Sequence, residues 1–164
     1  MRVDDFDLLA VVGKGSYAKV LQVRKKDSGK IYAMKILQKS HLVARNVVAH
    51  ALAERKILAN LKHPFIVSLH YSFQTHDKLY LVVDYFNGGE LFYHLRKAKR
   101  FTELQAQFFI CEVILAIEHL HSNNIIYRDL KPENILLDCD GHIRLTDFGL
   151  SKDGLKKGVL TRTF

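Results

Sequence analysis

The sequence predicts an α+β protein: an antiparallel sheet accompanied by a helix, followed by the beginning of a second, helical half. Three observations carry that reading. Residues 6–12, 19–25 and 31–37 are strand-like runs separated by turn-forming segments. Two more such runs, 66–73 and 79–85, come after an intervening helical stretch. Asn87-Gly88-Gly89 then breaks the pattern, and helix signals dominate the next 30 or so residues.

Taken in order, the first run ends in Gly13-Lys14-Gly15-Ser16-Tyr17-Ala18, and Asp27-Ser28-Gly29 turns the second run into the third. Ser40 is placed to cap a short helical turn. Residues 49–61 hold good helix formers, with apolar positions at 51, near 54, and at 57, 58 and 61, and His63-Pro64 ends the helix. Residues 74–78 make the bend between the last two strands. Beyond the break, residues 90–97 read as a short helix. Thr102-Glu103-Leu104-Gln105 is a capping box opening a longer helix to about His121. Ile110, Val113, Ile114, Ile117 and Leu120 are assigned to one face of it. Short strands at 135–137 and 143–146 flank a turn at Asp138-Cys139-Asp140-Gly141. The division is therefore a strand-rich lobe over 1–84, a hinge over 85–89 and part of a helical lobe over 90–164.

A chain of 164 residues that is 48% hydrophobic suits one folded unit. The formal charge of +8 would suit nucleic acid, a membrane surface or a nucleotide polyphosphate. The basic residues are spread along the chain, so nucleic acid is not expected as a partner. The densest run, Arg96-Lys97-Ala98-Lys99-Arg100, reads as a solvated helix end, with a nuclear-import signal as the alternative. Cys111 and Cys139 stand alone, which argues against a disulfide framework or a zinc site. The acidic start, Asp4-Asp5-Phe6-Asp7, is unlike a secretory leader, and no run is long enough to span a bilayer. The expected location is cytoplasmic, with the nucleus as a second compartment.

The residues that carry chemistry fall into three groups. Gly13-x-Gly15-x-x-Ala18 alone also fits a dinucleotide-binding fingerprint, but that needs a helix directly afterwards and an acid about 20 residues on. Here a strand-like run follows, and Lys35 stands near where the acid should be. No GxxxxGK[ST] occurs. In a hairpin, small residues let backbone N–H groups approach phosphate oxygens. Val20 and Ala33 are then placed to cover an adenine, and Lys35 to reach its phosphates. The second group is Lys35 with Glu54, a helix carboxylate able to hold a mobile ammonium. The third is Tyr127-Arg128-Asp129-Leu130-Lys131-Pro132-Glu133-Asn134 with Asp147-Phe148-Gly149. Two acids and an intervening Asn suit magnesium-assisted phosphoryl transfer from ATP to a hydroxyl. Asp129 orients the hydroxyl and accepts its proton, Lys131 stabilises charge on the moving phosphate, and Asn134 and Asp147 hold magnesium. Asp138-Cys139-Asp140-Gly141 does not fit a calcium loop, because Gly141 comes fourth rather than sixth.

Gly13–Val20, Lys35, Glu54, Tyr127–Asn134 and Asp147–Gly149 together resemble the eukaryotic serine/threonine protein kinases. Tyr127, Ser72-Phe73-Gln74-Thr75 and Asn87-Gly88-Gly89-Glu90-Leu91-Phe92 resemble the AGC group. Within it the wording is similar to protein kinase B, the serum- and glucocorticoid-regulated kinases and the p70 ribosomal-protein kinases, with no choice among them. The resemblance implies a five-stranded N-lobe with its αC helix and an incomplete helical C-lobe. It also implies ATP and magnesium as cofactors. Val12, Gly13, Lys14, Gly15, Ser16, Tyr17, Ala18, Val20, Ala33 and Lys35 would surround the nucleotide from the sheet side. Val83 would be the gatekeeper, Asp84 and Phe86 would give hinge bonds to adenine, and Glu90, Leu136 and Thr146 would complete the wall. Leu58, Leu69, Tyr127 and Phe148 match the stacked apolar residues of active kinases. Glu90 and Glu133 match acids that recognise basic residues upstream of the phosphoacceptor, so basic protein substrates are expected. Thr163 resembles an activation-loop site for an upstream kinase, with His50, Arg128 and Lys152 as its basic pocket. Ala18 departs from the usual third glycine and is expected to be tolerated, since it adds only a methyl, with a stiffer loop as the alternative.

A complete kinase domain has roughly 250–300 residues, so the chain is expected to be a fragment that stops before the Ala-Pro-Glu segment. The apolar helix at 103–121 would then lack its covering helices, at about 1.5–3 kcal/mol per large side chain left exposed. Poor stability and little phosphotransfer by these 164 residues alone are the expectation. The alternative is a non-catalytic form that binds nucleotide or a partner.

Overall fold

A computed structural model of the chain describes residues 1–15 and 18–153. A short 3-10 turn, Val3–Asp5, leads into β1 (Phe6–Lys14), β2 (Ala18–Lys25) and β3 (Ile31–Gln38). Two helices follow, α1 (Lys39–Ala44) and α2 (Val48–Asn60), then β4 (Leu69–Gln74) and β5 (Lys78–Asp84). The five strands make one antiparallel sheet in the order β1-β2-β3-β5-β4. After it come α3 (Leu91–Ala98), α4 (Glu103–Ser122), β6 (Ile125–Ile126), β7 (Ile135–Leu137), β8 (Ile143–Leu145) and β9 (Lys152–Asp153). β7 pairs with β8, and β6 with β9.

Alternation along the strands separates two apolar layers. Leu21 and Val23, Tyr32 and Met34, and Tyr80 and Val82 share one sheet face with Phe6. Phe6 stacks on Phe73 at 6.3 Å, and Phe73 on Tyr80 at 4.9 Å. The opposite face, through Leu37 and Leu81, meets Leu42 of α1 and Ala51 of α2. A third and larger core joins Ile57 and Leu58 of α2 to Ala116 and Leu120 of α4, to the β7–β8 hairpin and to Phe148. α2 is thus packed into both halves of the molecule and couples them.

The fourth strand begins later than residue 66. Ile66 is buried beneath the β7–β8 hairpin in a parallel bridge to Leu145, and Val67 N–H donates to the Leu145 carbonyl at 3.1 Å. Ser68 N–H is then taken by the Asp84 carboxylate at 3.1 Å rather than by a strand partner. α1 starts at Lys39 after Gln38, with no side-chain cap, so Ser40 lies inside the first turn instead of capping it. The Thr102 capping box forms as expected, with Gln105 N–H donating to Thr102 Oγ1 at 3.2 Å and Thr102 N–H to Gln105 Oε1 at 3.0 Å.

The buried face of α4 departs from expectation. Ala116 and Leu120 are fully buried, Val113 and Ile117 pack against the main core, and Ile110 and Ile114 are exposed. The helix is apolar on more than one side, so periodicity alone selects no single face. What selects it is Glu112. Its buried carboxylate accepts bonds from His142 Nδ1 and, at 2.9 Å, from Ile143 N–H, pinning α4 to the start of β8.

The segment between the halves is held to β7. Gly88 N–H donates to the Leu137 carbonyl at 3.1 Å, and Leu137 N–H to the Gly89 carbonyl at 2.9 Å. A Cβ on Gly88 would lie 2.4 Å from the Leu137 carbonyl oxygen, a backbone atom that has nowhere to go. Gly88→Ala should therefore lower stability by about 1–3 kcal/mol in urea unfolding, whereas Asn87→Ala, at an exposed position, should stay within about 0.5 kcal/mol.

The Glu112 bond raises the pKa of His142 above the ordinary histidine value. The folded state therefore holds the imidazolium more tightly than the unfolded chain does. Its contribution to stability is complete below about pH 6.5 and is lost as pH rises through the raised folded-state value. The stability difference between the natural protein and His142→Gln should shrink accordingly between pH 6 and pH 9. A difference that is constant across that range would contradict the assignment.

Candidate active site

A cleft of about 870 Å³ lies between the sheet and the helical half. From the sheet it is lined by Val12, Gly13 and Lys14 of β1, Gly15 just after it, Ala18 and Val20 of β2, Ala33 and Lys35 of β3, and Val83 and Asp84 of β5. From the other side come Phe86, Glu90, Glu133, Asn134, Leu136, Thr146 and Asp147. Ser16, Tyr17 and Thr163 lie outside the described residues. Gly15 N–H donates to the Ala18 carbonyl at 2.8 Å, closing the hairpin at the cleft mouth. The Asp84 carboxylate faces away from the cleft, toward Ser68 N–H and His70 Nε2 at 3.1 and 2.6 Å. Any bond from Asp84 to a ligand in the cleft is therefore left to its main chain.

Lys35 is delivered by a central strand, opposite Val20 on one side and Leu81 on the other. Its Nζ donates to both oxygens of Glu54, at 2.7 and 2.9 Å, and lies 3.4 Å from Asp147 Oδ1. The Glu54 side chain is 6% exposed, and that of Asp147 is 47% exposed. A mostly buried ammonium is thus held by one enclosed carboxylate and directed at a second that faces the cleft. Charge-assisted pairs of this kind fix geometry as well as adding energy.

The segments around Asp129 and Asp147 are bonded to each other at four points. Tyr127 OH donates to the Thr146 carbonyl. Thr146 N–H and Oγ1 both donate to the Asn134 carbonyl, at 2.9 and 3.1 Å. Arg128 Nε donates to the Leu150 carbonyl at 2.7 Å, and Ser151 Oγ to the Tyr127 carbonyl at 3.0 Å. Burial, reinforced by the Asp147 carboxylate, pushes the Tyr127 phenol well above its usual pKa, so it stays a donor at ordinary pH. Arg128 and Asp147 both have left-handed backbone, with φ of 65° and 56°. Strain of this kind costs about 1–3 kcal/mol per residue and survives only where surrounding contacts overdetermine it.

Within this frame Asn134 Nδ2 donates to the Asp129 carbonyl at 2.9 Å and to Asp129 Oδ2 at 2.8 Å. Lys131 Nζ spans both Asp129 oxygens at 3.0 and 2.8 Å. That hydrogen bond is the main cause raising the Lys131 pKa above the usual lysine value. Asp129 and Lys131 stand beside the cleft wall rather than in it, joined to it through Asn134.

Three of the four residues expected to stack, Leu58, Tyr127 and Phe148, are buried in the main core, and Leu69 packs against it. Tyr127 meets Phe148 edge-on at 5.2 Å. Lys152 pairs with Ile126 in the β6–β9 ladder, two residues before Arg128, and α2, which carries His50, packs against β9.

A lysine tethered to a helix carboxylate, facing an acid that follows a short hairpin, is the signature arrangement of one large group of proteins. The sequence agrees with it from near its start to its end: residues 6–164 match the protein kinase domain. The chain belongs to the protein kinase family. It is 61% identical over 153 residues to a RAC family serine/threonine-protein kinase homolog of Dictyostelium discoideum, covering 93% of this chain and 34% of that protein. It is 56% identical over 161 residues to the human serine/threonine-protein kinase Sgk2, covering 98% and 44%. To the serine/threonine protein kinase ypkA of Aspergillus fumigatus it is 55% identical over 164 residues, covering 100% and 26%. These relatives are AGC-group kinases, the group that the sequence motifs resemble. The chain spans less than half the length of each of them.

Sequence reasoning missed part of the site. Leu58, Val67, Leu81 and Tyr93 also line the cleft. The Tyr127, Thr146 and Ser151 bonds that tie the two loops together were also missed, because each depends on partners distant in sequence. A pattern of apolar and polar residues carries no signal for such a pairing.

Removing Glu54 leaves the Lys35 ammonium in a largely buried site with only the longer contact to Asp147 among these two carboxylates. Glu54→Ala should therefore destabilise the fold by about 1.5–3 kcal/mol, read by chemical unfolding. Glu54→Asp, which keeps the charge on a shorter arm, should recover part of that loss.

Proposed function

We propose that the protein carrying this chain transfers the γ-phosphoryl group of ATP to serine or threonine hydroxyls of basic protein segments. The single observation that carries this reading is Lys35 Nζ held by Glu54 at 2.7 Å and directed at Asp147 at 3.4 Å, inside a cleft roofed by the glycine hairpin. A cationic group fixed in that position suits the α- and β-phosphates of a nucleotide whose base lies between Val20 and Ala33 above and Leu136 below.

The donors around Asp147 fit magnesium. The Asn134 amide turns its nitrogen toward Asp129, which leaves the oxygen as its remaining polar atom, and Asp147 offers a half-exposed carboxylate. Among the described residues no group of three His, Cys, Asp or Glu forms a protein-only metal cage. Magnesium bound with a nucleotide needs none, since phosphate and water oxygens complete its shell. When bound there, the ion neutralises charge on the phosphate oxygens.

The remaining work belongs to the chain's own residues. Asp129 accepts the proton of the substrate hydroxyl as its oxygen attacks the γ-phosphorus, and the bond to the bridging oxygen of ADP breaks. Lys131, already paired with Asp129, is the cation assigned to charge on the group being transferred. Glu90 and Glu133 line the cleft with exposed carboxylates, which suits basic residues upstream of the acceptor. Phosphorylation at Thr163 by an upstream kinase, read by His50, Arg128 and Lys152, belongs to the same proposal.

The test is phosphate transfer from radiolabelled ATP to a basic serine peptide by the full-length protein. Asp129→Asn should reduce kcat by at least about 100-fold while leaving ADP affinity within a few-fold. Undiminished turnover in that variant would overturn the assignment of Asp129.

A further inference from the structure

One interaction at the hinge has no part in the phosphoryl-transfer scheme. The Arg144 guanidinium lies over the Phe86 ring, 5.1 Å from its centroid. Its Nη2 and Nε also donate to Asp138 Oδ2 at 3.0 and 3.3 Å. The Asp138 and Arg144 side chains are only 10% and 26% exposed. The other Asp138 oxygen is occupied as well, accepting from Asp140 N–H at 3.1 Å and His142 N–H at 3.0 Å. Burial alone would raise the Asp138 pKa, but the bonds from Arg144, His142 and Asp140 outweigh it and hold the carboxyl below its usual value. The arginine is thus anchored by a fully engaged carboxylate rather than left as a mobile surface charge.

Both ends of this chain of contacts touch the cleft. Phe86 lines it, as does Leu136, the residue opposite Arg144 in the β7–β8 ladder. Leu136 in turn bridges to Glu90 on the far side of the hinge. The hinge main chain is bonded to β7 through Gly88 and Gly89, downstream of Phe86. The Phe86 ring is half-buried against the main core, and Arg144 packs on it directly.

The geometry points to Arg144 as a positioning residue for the adenine end of the cleft: anchored by Asp138, it seats the Phe86 ring and so sets the hinge against which a purine packs. A planar cation fixed by a fork of hydrogen bonds is suited to stacking on a ring in a way that a lysine is not. This inference rests on the kinase reading, because it presumes that the cleft takes a purine nucleotide.

Calorimetric titration of the full-length protein with magnesium-ADP and, separately, with adenosine tests it. Arg144→Met keeps the aliphatic stem and should weaken both ligands by a similar factor, about three- to thirty-fold. Arg144→Lys retains the charge and should recover only part of the loss. Asp138→Asn, which loosens the anchor without touching Arg144, should weaken both ligands in the same direction. In a Phe86→Leu background, Arg144→Met should change affinity less than two-fold.

An Arg144→Met effect confined to ADP would mean that the arginine acts on the phosphates through its charge, and would overturn the proposal. So would an equal effect with and without Phe86, or no change in affinity. Failure of the unmodified protein to bind either ligand would overturn the kinase reading itself, and this inference with it.

Discussion

The arrangement at the cleft depends on the bonding between two loops, residues 127–134 and 146–151. Each loop carries an acid on a backbone that would not hold its shape alone, since Arg128 and Asp147 both sit in the left-handed region. Five hydrogen bonds, two of them from Thr146 and one each from Tyr127, Arg128 and Ser151, lock the loops to each other. The rings of Tyr127 and Phe148 anchor them in the main core. The apolar burial that stabilises the helical half therefore also holds the Asp129 and Asp147 carboxylates where they are. Loss of either ring's packing would loosen both acids together, because the energy of the core and the geometry of the site share the same residues.

The other side of the cleft is organised differently. The sheet has its own apolar layer around Met34 and Val82, and it delivers Lys35 from a central strand. Beside the hinge and the Ile66–Leu145 bridge, α2 joins it to the helical half, with Ala51 packed on the sheet while Ile57 and Leu58 enter the main core. Glu54 lies between those positions and reaches Lys35. One helix thus transmits the relative position of the two halves directly to the ammonium group in the cleft. At the hinge, a glycine pressed against a carbonyl and an arginine laid on an aromatic ring set the opposite boundary.

Particular elements show where the sequence could be read and where it could not. Strands with alternating burial, such as β2 with Leu21 and Val23 on one face, were legible because their period is a local property. The capping box at Thr102 was legible for the same reason. The start of β4 was not, since Ile66 is claimed by a bridge to Leu145, 79 residues away. The buried face of α4 was misassigned because the helix is apolar on several sides, and its orientation is settled by a buried glutamate that bonds His142. In the site, every described residue expected to contact nucleotide does line the cleft. The Lys35–Glu54 pair was legible too, but the bonds that tie the two loops together and the Arg144–Phe86 contact could not be read in advance.

The sequence by itself determined the element types, the chemical groups available and the family, because turns, periodicities and motif spacings are encoded locally. Apart from the Lys35–Glu54 pair, which the motif already implied, tertiary structure alone decided which groups meet. Lys35 and Glu54 are 19 residues apart, and Lys35 and Asp147 are 112 apart. Their approach follows from which apolar faces can be buried together while every enclosed polar atom keeps a partner. Among the described residues, no buried side-chain nitrogen or oxygen lacks one. That requirement, which involves the whole packed chain, is the physical reason the site could be named from its residues but not assembled from them.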